Sequence, residues 1–293
     1  MSPIQSTLAG RVPWYGKMVA KLILSRLPVE HWVWKRLGLF EHGRMEETAY
    51  AYGVFAKHFD RAGLRRPHDG FVGLELGPGD SLLTAMVAHA FGASASYLID
   101  VGAFARADVK SYQAMAKFLQ ELGLTPPDIE GARSLESIIS ACRATYGTSG
   151  LVSLRAIPDR SIDFIFSHAV LQHLKRADFL ETMHQLRRVL RRGGVCSHVV
   201  DLRDMLGGSL NNLRFPERIW ESHFMAESGF YTNRIRYSET LALFTRVGFR
   251  AEVVKKQCWD RLPTPRSKMV PPFRYLSEEE LCVSGFEVVL QSN

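Results

Sequence analysis

One local pattern limits the fold more than any other. An apolar run over residues 71–76 breaks on Gly77-Pro78-Gly79-Asp80-Ser81, and helical spacing resumes over 82–91. A run this short, closed by glycines, reads as a buried strand feeding a tight turn and then a helix. The alternation continues. Residues 97–99 form a second apolar strand ending at Asp100, and 107–122 read as a helix stopped by Gly123. Pro126-Pro127 opens a linker, and a further helix is expected over 135–145. A strong strand covers 162–166, an amphipathic helix 177–192 closes on Gly193-Gly194, and 195–200 is the next strand. Strands alternating with helices imply right-handed βαβ units and a mostly parallel sheet with helices on both faces. Gly248 stops a helix begun near Ser238, and 249–258 with 283–290 form a closing antiparallel pair at the sheet edge.

Composition suits that class. The 293 residues are 46% hydrophobic and 23% charged with a net charge of +7, which excludes disorder and low-complexity repeats. No apolar run approaches the ~18 residues of a membrane-spanning helix. Cys142, Cys196, Cys258 and Cys282 form no CxxC pair, which argues against a zinc site or disulfide framework and for a cytoplasmic location. Residues 1–70 read as a helical lid, with an apolar stripe at Met18, Val19, Leu22 and Ile23, a break at Pro28 and a short helix over 31–37. Trp14, Tyr15, Trp32 and Trp34 beside Lys17, Lys21, Lys35 and Arg36 leave peripheral membrane contact open as the alternative role of this segment. Residues 71–293 then form the main α/β domain, with an insertion over about 205–237.

The glycine turn is not a dinucleotide fingerprint, because position 82 is leucine, and no Gly-Lys-Ser/Thr follows to make a phosphate loop. Glu75-x-Gly77-x-Gly79-x-Ser81 instead resembles the first motif of the class I S-adenosylmethionine-dependent methyltransferases, an acid followed by three alternating small residues. Three more segments resemble that family in order. These are Asp100 at the second strand end, the stretch 161–174 with Ser167 and a following Val-Leu-Gln-His-Leu helix, and Leu190-Arg191-Arg192-Gly193-Gly194. The resemblance covers 71–203 and implies a Rossmann-like seven-stranded sheet and S-adenosylmethionine as cofactor. No metal is expected, since Asp201 and Asp204 are two carboxylates without a third clear ligand. The resemblance implies contacts from Glu75, Gly77, Pro78, Gly79, Ser81, Asp100 and Ser167, with Asp100 on the ribose hydroxyls and Glu75 toward the ammonium group. The third-strand acid that contacts adenine in relatives is not evident over 150–154.

Ser167-His168-Ala169-Val170 stands where amine methyltransferases carry Asn/Asp-Pro-Pro-aromatic, which counts against base or amide N-methylation. A hydroxyl acceptor needs a general base, and histidine suits neutral pH. His168 and His173 follow the fourth strand, and Asp201 ends the fifth, where it is placed to orient a histidine or hold the acceptor. This pairing is similar to natural-product sugar O-methyltransferases. In the insertion, Trp220, Tyr231, Asn233 and Arg234 suit a polyhydroxylated substrate, the rings stacking on sugar faces and the polar groups reading hydroxyls. A glycan or small-molecule acceptor is therefore expected. Lipid or quinone methylation is an alternative, and RNA a lesser one carried by the basic tail from Arg250 to Arg274.

Overall fold

The computed structural model describes residues 13–24, 44–64 and 70–292, so the helix expected over 31–37, with Trp32, Trp34, Lys35 and Arg36, lies outside the described residues. Seven strands form one sheet in the order β3-β2-β1-β4-β5-β7-β6. They are β1 (Phe71–Leu76), β2 (Ala93–Ile99), β3 (Ala144–Gly147), β4 (Ile162–His168), β5 (Leu190–Asp201), β6 (Phe249–Cys258) and β7 (Val283–Ser292). Pairings from β3 through β5 are parallel, and β7 runs antiparallel to both β5 and β6. The sheet is thus mixed, with β7 alone reversed, and the closing antiparallel pair stands where the sequence placed it. The chain winds outward through β1, β2 and β3, then restarts at β4 beside β1. That reversal opens a crevice at the carboxyl ends of β1 and β4.

Helices cover both faces. On one face lie α2 (Thr48–Arg61), α3 (Leu83–Ala90), α4 (Val109–Glu121) and α5 (Leu135–Ala141), burying Phe55, Phe59, Met86, Tyr112 and Ile138 against Phe164 and Phe166. On the other lie α6 (Leu151–Arg155), α7 (Arg176–Val189) and α10 (Tyr237–Val247), burying Leu154, Phe179, Met183 and Phe244 against Ile165 and Cys196. Alternate side chains of β4 point to opposite faces, so Phe164, Phe166 and His168 face α2 while Ile165 and Ser167 face α7. Helix α2 belongs to this shared core, which corrects a domain boundary at residue 70. Helix α1 (Trp14–Leu24) packs instead on the insertion, where Trp14, Met18 and Leu22 meet the cluster of Leu206, Trp220, Met225, Phe230 and Tyr231. The insertion also holds short helices α8 (Glu217–Trp220) and α9 (His223–Ala226), and α11 (Glu278–Cys282) precedes β7.

Three boundaries differ from the sequence pattern. The helix expected over 135–145 stops at Ala141, and the third strand is Ala144–Gly147. Gly193-Gly194 lie within β5 instead of ending the preceding helix, and Gly194 has no room for a Cβ, which would meet the Arg191 and Asp163 carbonyls at 3.0 Å. The Val-Leu-Gln-His-Leu segment is a single 3-10 turn over Leu171–His173.

Candidate functional site

The turn after β1 is built on left-handed backbone. Gly77 has φ +73° and Gly79 φ +68°. The Gly77 amide donates to the Ile99 carbonyl at 2.8 Å, tying the turn to β2. A Cβ at Gly77 would lie 2.6 Å from both Cγ atoms of Val170, whereas one at Gly79 would meet nothing within 4 Å. The first glycine therefore admits the post-β4 turn, and the second faces open space. Asp100 receives the amides of Gly79 (2.9 Å) and Val101 (2.7 Å) on separate carboxylate oxygens, which leaves each oxygen a further lone pair toward the crevice. Beside it, Val101 is 71% exposed and Phe104 is 48% exposed, an apolar rim that sequence reasoning missed. Tyr146, also missed, pins this rim by donating to the Gly102 carbonyl and accepting from the Phe104 amide, both at 3.1 Å. The third strand is Ala144–Gly147, so the adenine-side loop is 148–150. It carries Thr148 and Ser149 in place of an acid.

Beneath the turn, Pro78 and Ser81 are buried, and Glu75 is buried with Thr84 donating to its carboxylate. Desolvation pushes the Glu75 carboxyl up to about 8, so it is largely neutral at pH 7 until a cation comes near. An open glycine, a ribose-width carboxylate, an apolar rim and a buried acid waiting for a positive group together fit S-adenosylmethionine. Ser167 does not join them. It is fully buried on the α7 face, hydrogen-bonded to His198 Nδ1 at 2.8 Å, which corrects its expected cofactor contact.

His168 ends β4, and Ala169 follows at φ +57°, a conformation that costs a non-glycine residue about 1–3 kcal/mol. This kink turns the chain so that Val170 reaches Gly77. The His168 ring points to α2, with Nε2 at 3.4 Å from the Tyr50 hydroxyl and Nδ1 at 3.3 Å from His58 Nε2. His58 Nδ1 in turn lies 2.8 Å from Ser197 Oγ on β5. Lys57 (2.8 Å) and Arg61 flank the pair and bind the buried Glu287 of β7. Burial, with the Lys57 and Arg61 charges, lowers His168 to about 4 and His58 well below its ordinary value, so both imidazoles are neutral at pH 7.

The other expected catalytic groups serve elsewhere. His173 is hydrogen-bonded through Nδ1 to the Tyr231 carbonyl at 2.9 Å. Asp201 receives Nε (2.9 Å) and Nη2 (2.7 Å) of Arg203 and has no hydrogen bond to His168 or His173. Asp204 accepts the Leu206 and Asn211 amides, folding its own loop. Trp220, Tyr231, Asn233 and Arg234 are each 5% exposed or less. The Trp220 indole donates to the Thr232 carbonyl (2.7 Å), Tyr231 donates to Glu221 (2.6 Å), and Arg234 donates to the Phe215 carbonyl (2.7 Å). Asn233 donates to the carbonyls of Leu171 (2.8 Å) and Leu174 (3.1 Å), clamping the post-β4 turn. These four hold the insertion together, which corrects the expectation that they face a substrate. A cleft of about 430 Å³ lined by Arg160, Arg187, Arg188 and Arg192 opens at the amino end of the sheet, remote from this crevice.

Residues 74–197 match the family model described as a methyltransferase domain. No curated protein matches the chain by sequence. Among solved structures, the chain is similar to the YcgJ protein of Bacillus subtilis, at 15% identity and a TM-score of 0.46 over 83% of this chain and 99% of that one. It is also similar to Haemonchus contortus phosphoethanolamine N-methyltransferase 2, solved with S-adenosylhomocysteine (14%, TM-score 0.44, 82% of this chain and 53% of that one). A third is an S-adenosylmethionine-dependent methyltransferase from Mesorhizobium loti (18%, TM-score 0.43, 78% and 94%). The matched segment runs from β1 to β5 and contains the glycine turn, Asp100 and His168, which supports a methyltransferase that uses S-adenosylmethionine.

Proposed function

We propose that the protein methylates a hydroxyl oxygen of a small molecule or glycan, with His168 as general base. The observation that carries this is a neutral imidazole at the carboxyl end of β4, beside the glycine turn, with Nε2 toward the Tyr50 hydroxyl and no carboxylate bonded to it among the described residues. When bound, S-adenosylmethionine supplies an electrophilic methyl carbon and leaves as S-adenosylhomocysteine, keeping the electron pair of the broken C–S bond. The protein's share is to hold the acceptor in line and take its proton, which His168 Nε2 is placed to do. Gly77, Gly79 and Asp100 would hold the cofactor, and Glu75 would balance its ammonium group from below. A sugar or glycan is the first acceptor class to try, because its hydroxyls need a base whereas an amine already carries a usable lone pair. Calorimetric titration with S-adenosylmethionine, then an acceptor screen with labelled methyl groups, tests the reading. His168→Ala should keep cofactor affinity and lose transfer, and unchanged turnover in that variant would discard the base assignment.

A lipid or quinone acceptor is the second reading. It is supported by Tyr15, Val19 and Ile23, spaced four apart along α1 and all at least half exposed, with Lys17 on the same helix. Sedimentation with anionic vesicles tests it, and replacing the three apolar residues by serine should abolish any binding seen. RNA is less well supported. Arg266 donates to the Arg274 and Leu276 carbonyls and Arg274 to that of Met269, while the lysines of β6 guard an exposed edge strand.

A further inference from the structure

We propose that His58 is the positioning residue of the base, and that Tyr50, His168, His58 and Ser197 form a one-directional hydrogen-bond chain that keeps a lone pair on His168 Nε2. This rests on His168 being the base. The chain joins three elements, since Tyr50 and His58 lie two turns apart on α2, His168 ends β4 and Ser197 lies on β5. Register makes the arrangement rigid, because Phe166 pairs with Ser197 and His168 with Val199, which brings both polar side chains to the face covered by α2.

Two neutral imidazoles in contact must share one proton between facing nitrogens, so the chain runs one way or the other. In one direction Tyr50 donates to His168 Nε2, His168 Nδ1–H donates to His58 Nε2, and His58 Nδ1–H donates to Ser197 Oγ. In the other, every bond is reversed and Nε2 carries a proton. The end groups decide between them. A phenol ionises near 10 and is the stronger donor, while its oxygen, delocalised into the ring, is the weaker acceptor. An aliphatic hydroxyl is the better acceptor. The chain therefore starts at Tyr50 and ends at Ser197, and Nε2 holds the lone pair. Lys57 and Arg61 of α2 and Glu287 of β7 also face the pair, and His198 lies under the opposite face of the sheet. Glu287 is engaged by both cations, so among the described residues no unpaired anion stands beside the pair to hold a second proton.

The consequence for the reaction is specific. When an acceptor hydroxyl takes the place of the Tyr50 hydroxyl at Nε2, its O–H bond breaks and an Nε2–H bond forms, with the oxygen pair left for the methyl carbon. The imidazolium so formed keeps its Nδ1–H on His58, so the ring does not turn during the transfer.

Imidazole 1H–15N long-range correlation spectra of the full chain at pH 7 test this without any acceptor. The expected result is a His168 ring with Nδ1 protonated and Nε2 bare. His58→Phe removes the Nδ1 partner at similar ring volume and should move His168 toward the Nε2–H form, and Ser197→Ala should move it less in the same direction. A wild-type His168 protonated at Nε2 would overturn the proposal even if neither variant folds, as would an unchanged tautomer in a folded His58→Phe protein. Failure of the base assignment itself would show separately, as undiminished transfer by His168→Ala.

Discussion

Val170 leans directly over Gly77, and a Cβ at Gly77 would come within 2.6 Å of both its methyl carbons. The turn after β1 and the turn after β4 are thus mutually fitted. Gly77→Ala meets both that clash and the positive-φ penalty, together about 1–3 kcal/mol, and should weaken S-adenosylhomocysteine binding by roughly tenfold or more. Gly77→Ala with Val170→Ala should recover only the steric part. Calorimetry of the two variants separates the contributions, and equal affinities would show that the clash is relieved by movement elsewhere.

The buried acid beneath that turn predicts proton release. Glu75 is raised to about 8 by burial, so an arriving ammonium group should ionise it. Cofactor titrations at pH 7 in buffers of different ionisation enthalpy should show close to one proton released, and Glu75→Gln should abolish that release while lowering affinity. Between about 4.5 and 8 the unfolded chain holds fewer protons on this group than the folded one. Its contribution to stability therefore declines with rising pH, by up to about 1.4 kcal/mol per unit.

Buried histidines act in the opposite sense. His168 is lowered to about 4 and His198 to about 3, with burial the leading cause in each, and His58 lies well below 6.5. As pH falls below 6.5 the unfolded chain takes up protons that the folded chain refuses, so stability declines. Each histidine adds at most about 1.4 kcal/mol per pH unit to that loss, down to its own folded value. Denaturant midpoints between pH 7 and 5 should fall steeply, and less so in His198→Asn. The acid limb of transfer should lie nearer 4 than 6.5.

Asn233→Ala separates a clamp from a substrate contact. Losing two buried hydrogen bonds to the Leu171 and Leu174 carbonyls should cost about 2 kcal/mol of stability and lower the melting temperature. A raised acceptor KM with unchanged stability would restore the substrate role.

The strand–turn–helix logic was legible because short buried strands and glycine turns are local features. Phe71–Leu76, Ile162–His168 and the Gly248 stop stand close to where the pattern places them. Strand β3 was hidden because Ala144–Gly147 is four residues long, only partly buried, and continuous with helical spacing. In the crevice, the strand-end placement of His168 and Asp100 was legible. His58 and Tyr50 were not, since an α2 histidine becomes a neighbour of β4 only through tertiary packing, across 110 residues of sequence. Trp220, Tyr231, Asn233 and Arg234 misled for a related reason. Aromatic and amide side chains suit a sugar surface and a polar core alike, and only their burial tells the two apart.

Lys57 and Arg61 grip Glu287 across more than 220 residues of sequence. The clasp ties the helix that carries Tyr50 and His58 to a strand two places across the sheet from β4. Helix α2 is thereby fastened at both β4 and β7, so a change in β7 reaches the imidazole pair through one ion cluster.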